Sequence, residues 1–267
     1  RHYQRFYVNM DRNKFDRWLI SLIPPQVERL EGARVTKLAR QSDGTFAVTI
    51  CQDGRERTEY AKRLVGADGA DSLVRRTFFP KHQVRWYVAV QQWFKEAHES
   101  PFYSCIFDPS QTDCYSWSVS KDGYFIFGGA YPPDGCRARF ERQKEALSKV
   151  GFRFGKAVKT EACRVLRPAG WKDFCLGEKG VFLIGEAAGF ISPSSLEGIS
   201  SAFISARRLA ASLEEEPSPR EHCRYARACL GLRLKLWLKL FKCPFLYMPF
   251  LRKWVMKSGI NSIGIIR

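Results

Sequence analysis

The stretch GVFLIGEAAGFISPSSLEGI, residues 180–199, joins an apolar run, a glycine-rich turn with one acid, and a run of small residues. The apolar run predicts a buried strand, and the glycines predict a sharp turn at its end. Ligands of α/β folds bind at that edge of the sheet. The carboxylate of Glu186 accepts hydrogen bonds, so a sugar or polyol hydroxyl suits it better than a phosphate. A helix opening at Gly198 would direct its free N–H groups toward negative charge.

A second turn of this kind lies in RLVGADGADSLVRR, residues 63–76. Asp68 and Gly69 follow a predicted strand, Ser72 can cap a helix, and Arg75 and Arg76 could neutralise a phosphate. Either turn alone fits an ordinary strand-to-helix connection with solvated arginines equally well. The two turns in this order in one chain are far more specific.

Composition narrows the classes of protein. A chain of 267 residues with 45% hydrophobic residues can bury a core in one large domain or two unequal ones. A net charge of +17 favours an anionic partner, namely a nucleotide, a nucleic acid or a phospholipid surface. The nine cysteines contain no CxxC pair, so neither a zinc site nor a disulfide framework is indicated. Free thiols, the lack of a bilayer-spanning apolar run and the lack of a signal segment favour a cytoplasmic protein, with peripheral membrane contact as an alternative.

The order of local patterns predicts a mixed α and β chain. Asp11 is the expected N-cap of a helix that ends near Ile23, after an extended stretch at residues 5–9. Short β segments over residues 33–65, the last of them TEYAKRLV, predict a β-meander. Four further strands predict a second sheet, two helices follow it, and EEEPSPRE reads as a linker. The predicted strands are 83–94, 101–107, 114–120 and 124–131, and the helices are 138–150 and about 197–213.

Two segments carry further patterns. Alternation in strand 114–120 would place its aromatic side chains on one face and its serines on the other. The basic, aromatic tail has lysines near one side of a predicted helix and large apolar side chains opposite. The first pattern sets Tyr115, Trp117 and Val119 against Ser116, Ser118 and Ser120. The second sets Arg227, Lys235, Lys239 and Lys242 against Leu230, Leu234, Trp237, Leu238 and Phe241.

Taken together, the two acidic turns resemble the two internal flavin motifs of group A flavoproteins, which have the p-hydroxybenzoate hydroxylase fold. Within that superfamily, YSWSVSKDGYFIFGG resembles the YxWxFP segment of the geranylgeranyl reductase family. The similarity runs over nearly the whole chain and is greatest to flavoproteins of enteric bacteria. The resemblance implies an α/β (α+β) fold with a mixed or antiparallel substrate sheet and a helical C-terminus, with FAD as cofactor and NAD(P)H as a possible electron donor.

The family's site residues carry over to individual positions. The acid that binds the ribityl chain corresponds to Glu186, where relatives usually have Asp, and the first motif's acid, a nucleotide contact, corresponds to Asp68 beside Gly69. Arg12 matches the arginine of the RxxFD segment. The remaining cofactor candidates line the pyrophosphate and ribityl path or the loop beside the flavin ring: Gly185, Ala187, Gly189, Pro193, Gly198 and Ile199. Tyr115 and Trp117 are the candidate catalytic residues.

Two departures from the family pattern matter. Val119 and Ser120 replace the family's Phe and Pro, which weakens the assignment of its isoprenoid pocket. The GxGxxG loop that holds the FAD pyrophosphate does not occur in these residues, and the chain begins with RHYQRF, so we expect a fragment of a longer flavoprotein or a shortened relative. The domains implied are a partial FAD-binding domain at 1–83, a substrate sheet at 84–160, a return to the FAD domain at 161–215, and a basic amphipathic helical segment at 216–267.

The function implied is an FAD-dependent oxidoreductase that transfers hydride to an apolar, isoprenoid-like small molecule. A flavin monooxygenase of the same fold is one alternative. Another is a non-enzymatic basic protein that associates with a membrane, or a truncated relative without bound flavin. Residues 229–267 are the expected peripheral contact, on the inner face of the membrane. Nucleic acid is not an expected partner, because no recognised binding module accompanies the charge.

Overall fold

A computed structural model describes residues 2–3, 10–99, 103–214, 217–259 and 262–263. Its contacts divide the chain into two units, residues 1–62 with 258–267 and residues 63–257. The strands are β1 His2–Tyr3, β2 Arg34–Arg40, β3 Phe46–Gln52, β4 Arg55–Ala61, β5 Leu64–Gly66, β6 Trp86–Lys95, β7 Tyr103–Ile106, β8 Ser116–Lys121, β9 Tyr124–Tyr131, β10 Lys159–Leu166, β11 Gly177–Glu178, β12 Val181–Leu183 and β13 Ser262–Ile263. The helices are α1 Arg12–Ser21, α2 Leu73–Phe78, α3 Cys136–Ser148, α4 Ile199–Ala210, α5 Pro219–Leu238, α6 Cys243–Tyr247 and α7 Pro249–Ser258.

The smaller unit contains α1, the sheet β2-β3-β4 and the pair β1-β13. The predicted cap of α1 is confirmed, because Asp11 Oδ1 accepts a hydrogen bond of 3.0 Å from the Lys14 N–H. The predicted meander is also confirmed, since β2, β3 and β4 pair in antiparallel order. The extended stretch predicted at residues 5–9 lies outside the described residues.

One predicted strand of the meander is wrong. TEYAKRLV divides into β4, which pairs with β3, and β5, which pairs in parallel with β12. The chain leaves the sheet β2-β3-β4 after Ala61 and joins β12 from Leu64 onward. Local pattern could not separate the two strands, because both halves have ordinary strand propensity and the partner of β5 is far away in the sequence.

The predicted second sheet is the antiparallel sheet β10-β6-β9-β8-β7. Its four expected strands are confirmed as β6 to β9, and β10 was not predicted. An aromatic core lies on one face, where Phe127 packs on Phe140 of α3 with ring centroids 5.2 Å apart. The fully buried members of this core are Phe94, Phe125, Phe127, Tyr131 and Phe140.

The serine face of β8 is the buried one. Ser116 and Ser118 are fully buried, whereas Tyr115 and Trp117 are half-buried. Ser116 Oγ donates a hydrogen bond of 2.7 Å to Gln143 Oε1 of α3. The alternation is therefore as predicted, and the polar face lies against a helix instead of solvent.

A three-stranded mixed sheet, β11-β12-β5, completes the larger unit. Helix α5 packs against it, since Tyr225 is buried and donates its hydroxyl hydrogen to the Leu183 carbonyl at 2.9 Å. His222 stacks on Phe182 with ring centroids 4.0 Å apart. This combination of an antiparallel sheet, a mixed sheet with a parallel pair, and C-terminal helices confirms the predicted α/β class.

The linker predicted over EEEPSPRE is partly wrong. Ser218 caps α5 and Pro219 is its first residue, so Glu221 lies in the first helical turn. Its side chain is buried and forms an ion pair of 2.6 Å with Arg63. Burial alone would raise the pKa of Glu221, but hydrogen bonds from Arg63 and the Glu214 N–H, with the Arg63 charge, hold that pKa below its usual value.

Two histidines of the larger unit differ in burial. His82 is exposed. His98 is half-buried, with its ring 4.4 Å from that of Phe125 and its Nδ1 2.6 Å from Glu96 Oε1. The predicted boundary between residues 160 and 161 falls inside β10. Within the described residues, no helix combines the length and apolarity needed to cross a membrane.

Candidate functional site

The two acidic turns lie side by side. Leu64, Val65 and Gly66 of β5 pair in parallel with Val181, Phe182 and Leu183 of β12, and the Ile184 N–H donates to the Gly66 carbonyl at 3.0 Å. Parallel strands end at the same edge of a sheet. The short 3₁₀ turns that follow, Gly69–Asp71 and Gly185–Ala188, are therefore neighbours at that edge. We call them the first corner and the second corner.

Arg75 joins the two corners. Its guanidinium donates to the Ala70 carbonyl of the first corner at 2.7 Å and to the Ala187 carbonyl of the second at 3.0 Å. Burial lowers the pKa of Arg75, and the charges of Asp68 and Glu186 oppose that shift. One guanidinium thus lies within the field of both acids. Arg75 was predicted to neutralise a phosphate. In the structure its guanidinium is buried and binds backbone carbonyls of both corners.

Arg76 is the exposed member of the arginine pair. It forms an ion pair with Asp71 at 2.6 Å. Ser72, the predicted cap, accepts a hydrogen bond of 2.9 Å from the Arg75 N–H and is confirmed. The Asp68 carboxylate is exposed, and its Oδ2 accepts a hydrogen bond of 3.2 Å from the Val74 N–H at the start of α2. Gly69 has a positive φ of 68° and open space where a Cβ would point.

The Glu186 carboxylate is half-buried between the second corner and β10. Oε1 accepts a hydrogen bond of 2.7 Å from the Leu166 N–H. Burial raises the pKa of this carboxyl group, while the Leu166 hydrogen bond and the Arg75 charge act in the opposite direction. The carboxylate is anchored through one oxygen, and its second oxygen can accept a further hydrogen bond from a ligand hydroxyl.

The small residues of the second corner have an internal role. Gly185, Ala187 and Gly189 are all buried, and their place on a ligand path stays a prediction. A Cβ at Gly189 would lie 2.5 Å from the Asp173 carbonyl oxygen, and φ there is +80°. A Cβ at Gly185 would lie 3.2 Å from the Ala202 Cβ of α4. These positions are small because the protein itself packs there.

The segment Ser192–Gly198, which we call the loop, leads from the second corner to α4. The sheet holds it from one side. Tyr115 donates its hydroxyl hydrogen to the Ser195 carbonyl at 2.7 Å, and the buried Arg167 donates from Nε to the Pro193 carbonyl at 3.2 Å. Arg167 also donates to the Asp113 carbonyl at 2.9 Å.

The C-terminal helical segment holds the loop from another side. Lys239 donates to Ser192 Oγ at 3.2 Å, and Tyr247 donates to the Ser194 carbonyl at 2.7 Å. The Arg167 guanidinium lies 4.5 Å from the Tyr247 ring centroid, so the residues that hold the loop from the two sides are in contact. We call these residues the clamp. Lys239 was predicted on the basic side of the tail helix. It is half-buried, and burial lowers its pKa.

Helix α4 begins at Ile199 with an open N-terminus. Its N-cap residue is Gly198, which has no side chain to accept a hydrogen bond from the first-turn N–H groups. The nearest atoms to a Cβ at Gly198 would be those of Ile191, at 3.7 Å or more. The Ile199 side chain is 44% exposed. A helix N-terminus of this kind favours negative charge.

Aromatic side chains form a wall beside the loop. Tyr115 lies between Phe107 and Trp117, with ring centroids 6.3 and 5.7 Å away, and Phe107 lies 5.8 Å from Tyr247. Trp117 Nε1 donates to Gln91 Oε1 at 3.3 Å, and its ring lies flat against Gly128, where a Cβ would be 2.7 Å away. We refer to Phe107, Tyr115, Trp117 and Tyr247 as the aromatic wall.

Arg12, the remaining predicted cofactor residue, is the first residue of α1 in the smaller unit. It is exposed and lies 3.4 Å from Asp16 one helical turn later. Its role in cofactor binding stays a prediction.

Sequence reasoning missed the clamp residues Arg167 and Tyr247. It also missed Asp113, whose carbonyl accepts a hydrogen bond from Arg167. Arg167 lies in a stretch with weak local pattern, directly after β10. Tyr87, its other partner, donates to Asp113 Oδ1 at 2.7 Å, and burial together with that bond raises the Tyr87 pKa to about 12. One signal could have found Arg167: it directly follows the apolar pair Val165–Leu166 at the end of β10. An arginine next to buried apolar residues is a candidate for a buried hydrogen-bonding role.

A search of family models finds no match for the chain. A close relative nevertheless shows its family. Protein CbrA of Escherichia coli O9:H4 (strain HS) is 54% identical over 263 residues, which cover 98% of this chain and 71% of the relative.

Solved structures match the fold at lower identity. The p-nitrophenol 4-monooxygenase PnpA of Pseudomonas putida DLL-E4 matches 95% of this chain and 72% of its own, with a TM-score of 0.57 and 18% identity. A geranylgeranyl bacteriochlorophyll reductase-like protein of Thermoplasma acidophilum matches 87% of this chain with a TM-score of 0.55 and 18% identity, and the chain spans 58% of its length. The fold is the flavoprotein fold expected from the two acidic turns. By its identity to the E. coli protein over almost all its length, the chain belongs to the CbrA family.

Proposed function

We propose that this chain is the flavin-binding and substrate-binding part of an FAD-dependent oxidoreductase, which reduces an apolar, isoprenoid-like small molecule. The observation that carries the proposal is the adjacency of the two corners, the loop and the aromatic wall. When bound, FAD would supply hydride transfer, and the protein's part is to bind and orient it.

The residues present fit the ribityl and ring portions of a flavin. Glu186 has one anchored oxygen and one available for a ribityl hydroxyl. The uncapped N-terminus of α4 suits the part of the flavin ring where negative charge accumulates on reduction. Gly69 leaves open space beside Asp68 for the nucleotide portion. No GxGxxG loop occurs in the sequence, so the pyrophosphate contacts rest on these corners or on further residues of a longer chain.

The aromatic wall supports an apolar substrate. Its four rings lie on the half-buried side of β8 and beside the loop, where a flat apolar chain could pack against them. The hydroxyl hydrogens of Tyr115 and Tyr247 are both donated to loop carbonyls. These tyrosines therefore position the loop, and the proton donor for an alkene substrate is not assigned to them.

A cavity of about 390 Å³ beside the corners supports a pyridine nucleotide as electron donor. Its wall includes Arg76, Arg164, His82 and the rings of Phe79 and Trp86. Arg164 stacks on Trp86 at 4.0 Å and shares Asp71 with Arg76. Two guanidinium groups with one carboxylate leave a net positive charge that suits a phosphate, and the rings suit a base.

The test is anaerobic reduction followed by reoxidation. Protein loaded with FAD should bleach on addition of NADPH and regain its visible absorbance when a polyprenyl substrate is added. The Trp117→Ala variant should slow reoxidation at least tenfold while bleaching stays unchanged. Val158→Ala, at an exposed apolar position, is the matched control. A monooxygenase of the same fold, the second candidate, would leave the flavin bleached when substrate is added without oxygen. In a parallel aerated sample it would consume oxygen on addition of substrate, and these two results would reject the reductase.

A further inference from the structure

A row of large apolar side chains on the C-terminal helices faces outward. Helix α5 continues through a 3₁₀ turn at Lys239–Lys242 into α6, and the junction residues keep right-handed helical dihedrals. Helical spacing therefore places the members on α5 to α6 on one side of this segment, and α7 adds an exposed pair four residues apart on its own surface. Each member is at least 44% exposed, and Phe250 of α7 reaches 80%. We call this set the apolar strip: Leu230, Leu234, Leu238, Phe241 and Phe245, with Phe250 and Trp254 of α7.

Within the described residues, the apolar strip lies outside the buried core. The opposite side of α5 already packs inward through Tyr225, Cys229, Leu232 and Leu236, all of them buried. A surface helix of a soluble protein usually has one apolar stripe. Here a second stripe points away from the protein, which marks a surface used for interaction.

The charge around the apolar strip is uniformly positive. Residues 230–257 contain no acid. Lys235 and Lys242 lie along the border of the strip by helical spacing, between it and the buried side. The basic residues of the segment are Arg233, Lys235, Lys239, Lys242, Arg252, Lys253 and Lys257.

We propose that the apolar strip docks on an anionic phospholipid surface. Leucine and aromatic side chains flanked by lysines lie in the headgroup region of bilayers, where rings enter the acyl boundary and ammonium groups meet lipid phosphates. A second copy of this chain is a poorer occupant, because a symmetric contact would bring two such positive segments together. An acidic protein would satisfy the charge, and the experiment below distinguishes it from lipid.

Docking would place the loop close to the lipid. Lys239 and Tyr247, which hold Ser192 and Ser194, belong to the same segment as the apolar strip. The proposal does not depend on the proposed function, since a lipid-binding surface needs no flavin.

Vesicle co-sedimentation of the purified 267-residue chain tests the proposal. The chain should pellet with vesicles of 70% phosphatidylcholine and 30% phosphatidylglycerol and remain soluble with pure phosphatidylcholine. The variant Phe250→Ser/Trp254→Ser should bind at least tenfold more weakly. The variant Lys235→Gln/Lys242→Gln should bind about 25-fold more weakly at low salt, from about fivefold for each lysine.

Matched controls keep the result interpretable. Val150→Ser/Val158→Ser removes two exposed apolar side chains outside the helical segment, and Lys149→Gln/Lys156→Gln removes two exposed lysines there. Both should bind like the unaltered chain. Circular dichroism confirms that each variant is folded. The proposal is overturned if the chain ignores anionic vesicles, binds both vesicle types equally, or loses binding equally in the control variants.

Discussion

Replacing Arg75 with methionine should lower the free energy of unfolding, because it removes the side chain that links the two corners. The buried guanidinium donates two short hydrogen bonds, to the Ala70 and Ala187 carbonyls at 2.7 and 3.0 Å. Hydrogen bonds to a charged group contribute about 1.5–3 kcal/mol each, and methionine cannot donate to the Ala70 and Ala187 carbonyls. Methionine retains part of the packing volume. We therefore expect the free energy of unfolding to fall by about 3–5 kcal/mol.

Urea unfolding, followed by tryptophan fluorescence and circular dichroism, measures this loss. With an m-value of about 2 kcal/mol/M, the midpoint should fall by about 2 M. The control is Arg76→Met, the neighbouring arginine, whose exposed ion pair with Asp71 contributes less than about 1 kcal/mol. Equal midpoints for the two variants would refute the assignment of Arg75 as the link between the corners.

Three further variants test other contacts by the same unfolding measurement. Glu221→Gln should cost about 1.5–3 kcal/mol at pH 7 because a neutral amide replaces the buried carboxylate that pairs with the half-buried Arg63. Since the folded pKa of Glu221 is lowered, its contribution to stability is present above about pH 4.5 and is lost as the pH falls through the folded pKa. The Glu221→Gln variant should therefore lose less stability on acidification than the unaltered chain. The control Glu178→Gln, at an exposed position, should behave like the unaltered chain. Ser118→Ala should leave stability unchanged or raise it by up to about 1 kcal/mol, because the buried Oγ has no hydrogen-bond partner among the described residues. Ser116→Ala, which breaks the bond to Gln143, should cost about 1 kcal/mol, and the reverse order would contradict the assignment. Gly128→Ala should cost about 1–3 kcal/mol because its Cβ would lie 2.7 Å from the Trp117 ring, and Gly155→Ala, with open space at its Cβ, should cost less than about 1 kcal/mol.

Local sequence pattern predicted the elements and the two corners well. The Asp11 cap, the meander and strands β6 to β9 follow from side-chain alternation and turn residues, which act over short distances. The corners were predictable because a glycine and an acid after a buried strand form a local signal.

Long-range contacts account for what the sequence did not show. Whether TEYAKRLV is one strand or two depends on β12, which lies far along the chain. Glu221 was read as part of a linker because nothing near it indicates Arg63. The packing of Asp173 beside Gly189 and of Ala202 beside Gly185 was not predicted, because both neighbours lie outside the second corner. The clamp on the loop joins Tyr115, Arg167 and Tyr247 from three distant segments, and no local pattern relates them.

The central claim is that the two corners bind one flavin, and a fluorescence titration tests it most directly. FAD and riboflavin are each titrated with the chain, because riboflavin carries only the ring and the ribityl portion assigned to Glu186 and the loop. We predict saturable quenching of both flavins and about fivefold weaker binding in Glu186→Gln, which loses the charge but keeps an acceptor for the Leu166 N–H. Glu178→Gln, at an exposed position, should bind like the unaltered chain. Absence of quenching with either flavin, or equal affinity in the two variants, would contradict the account.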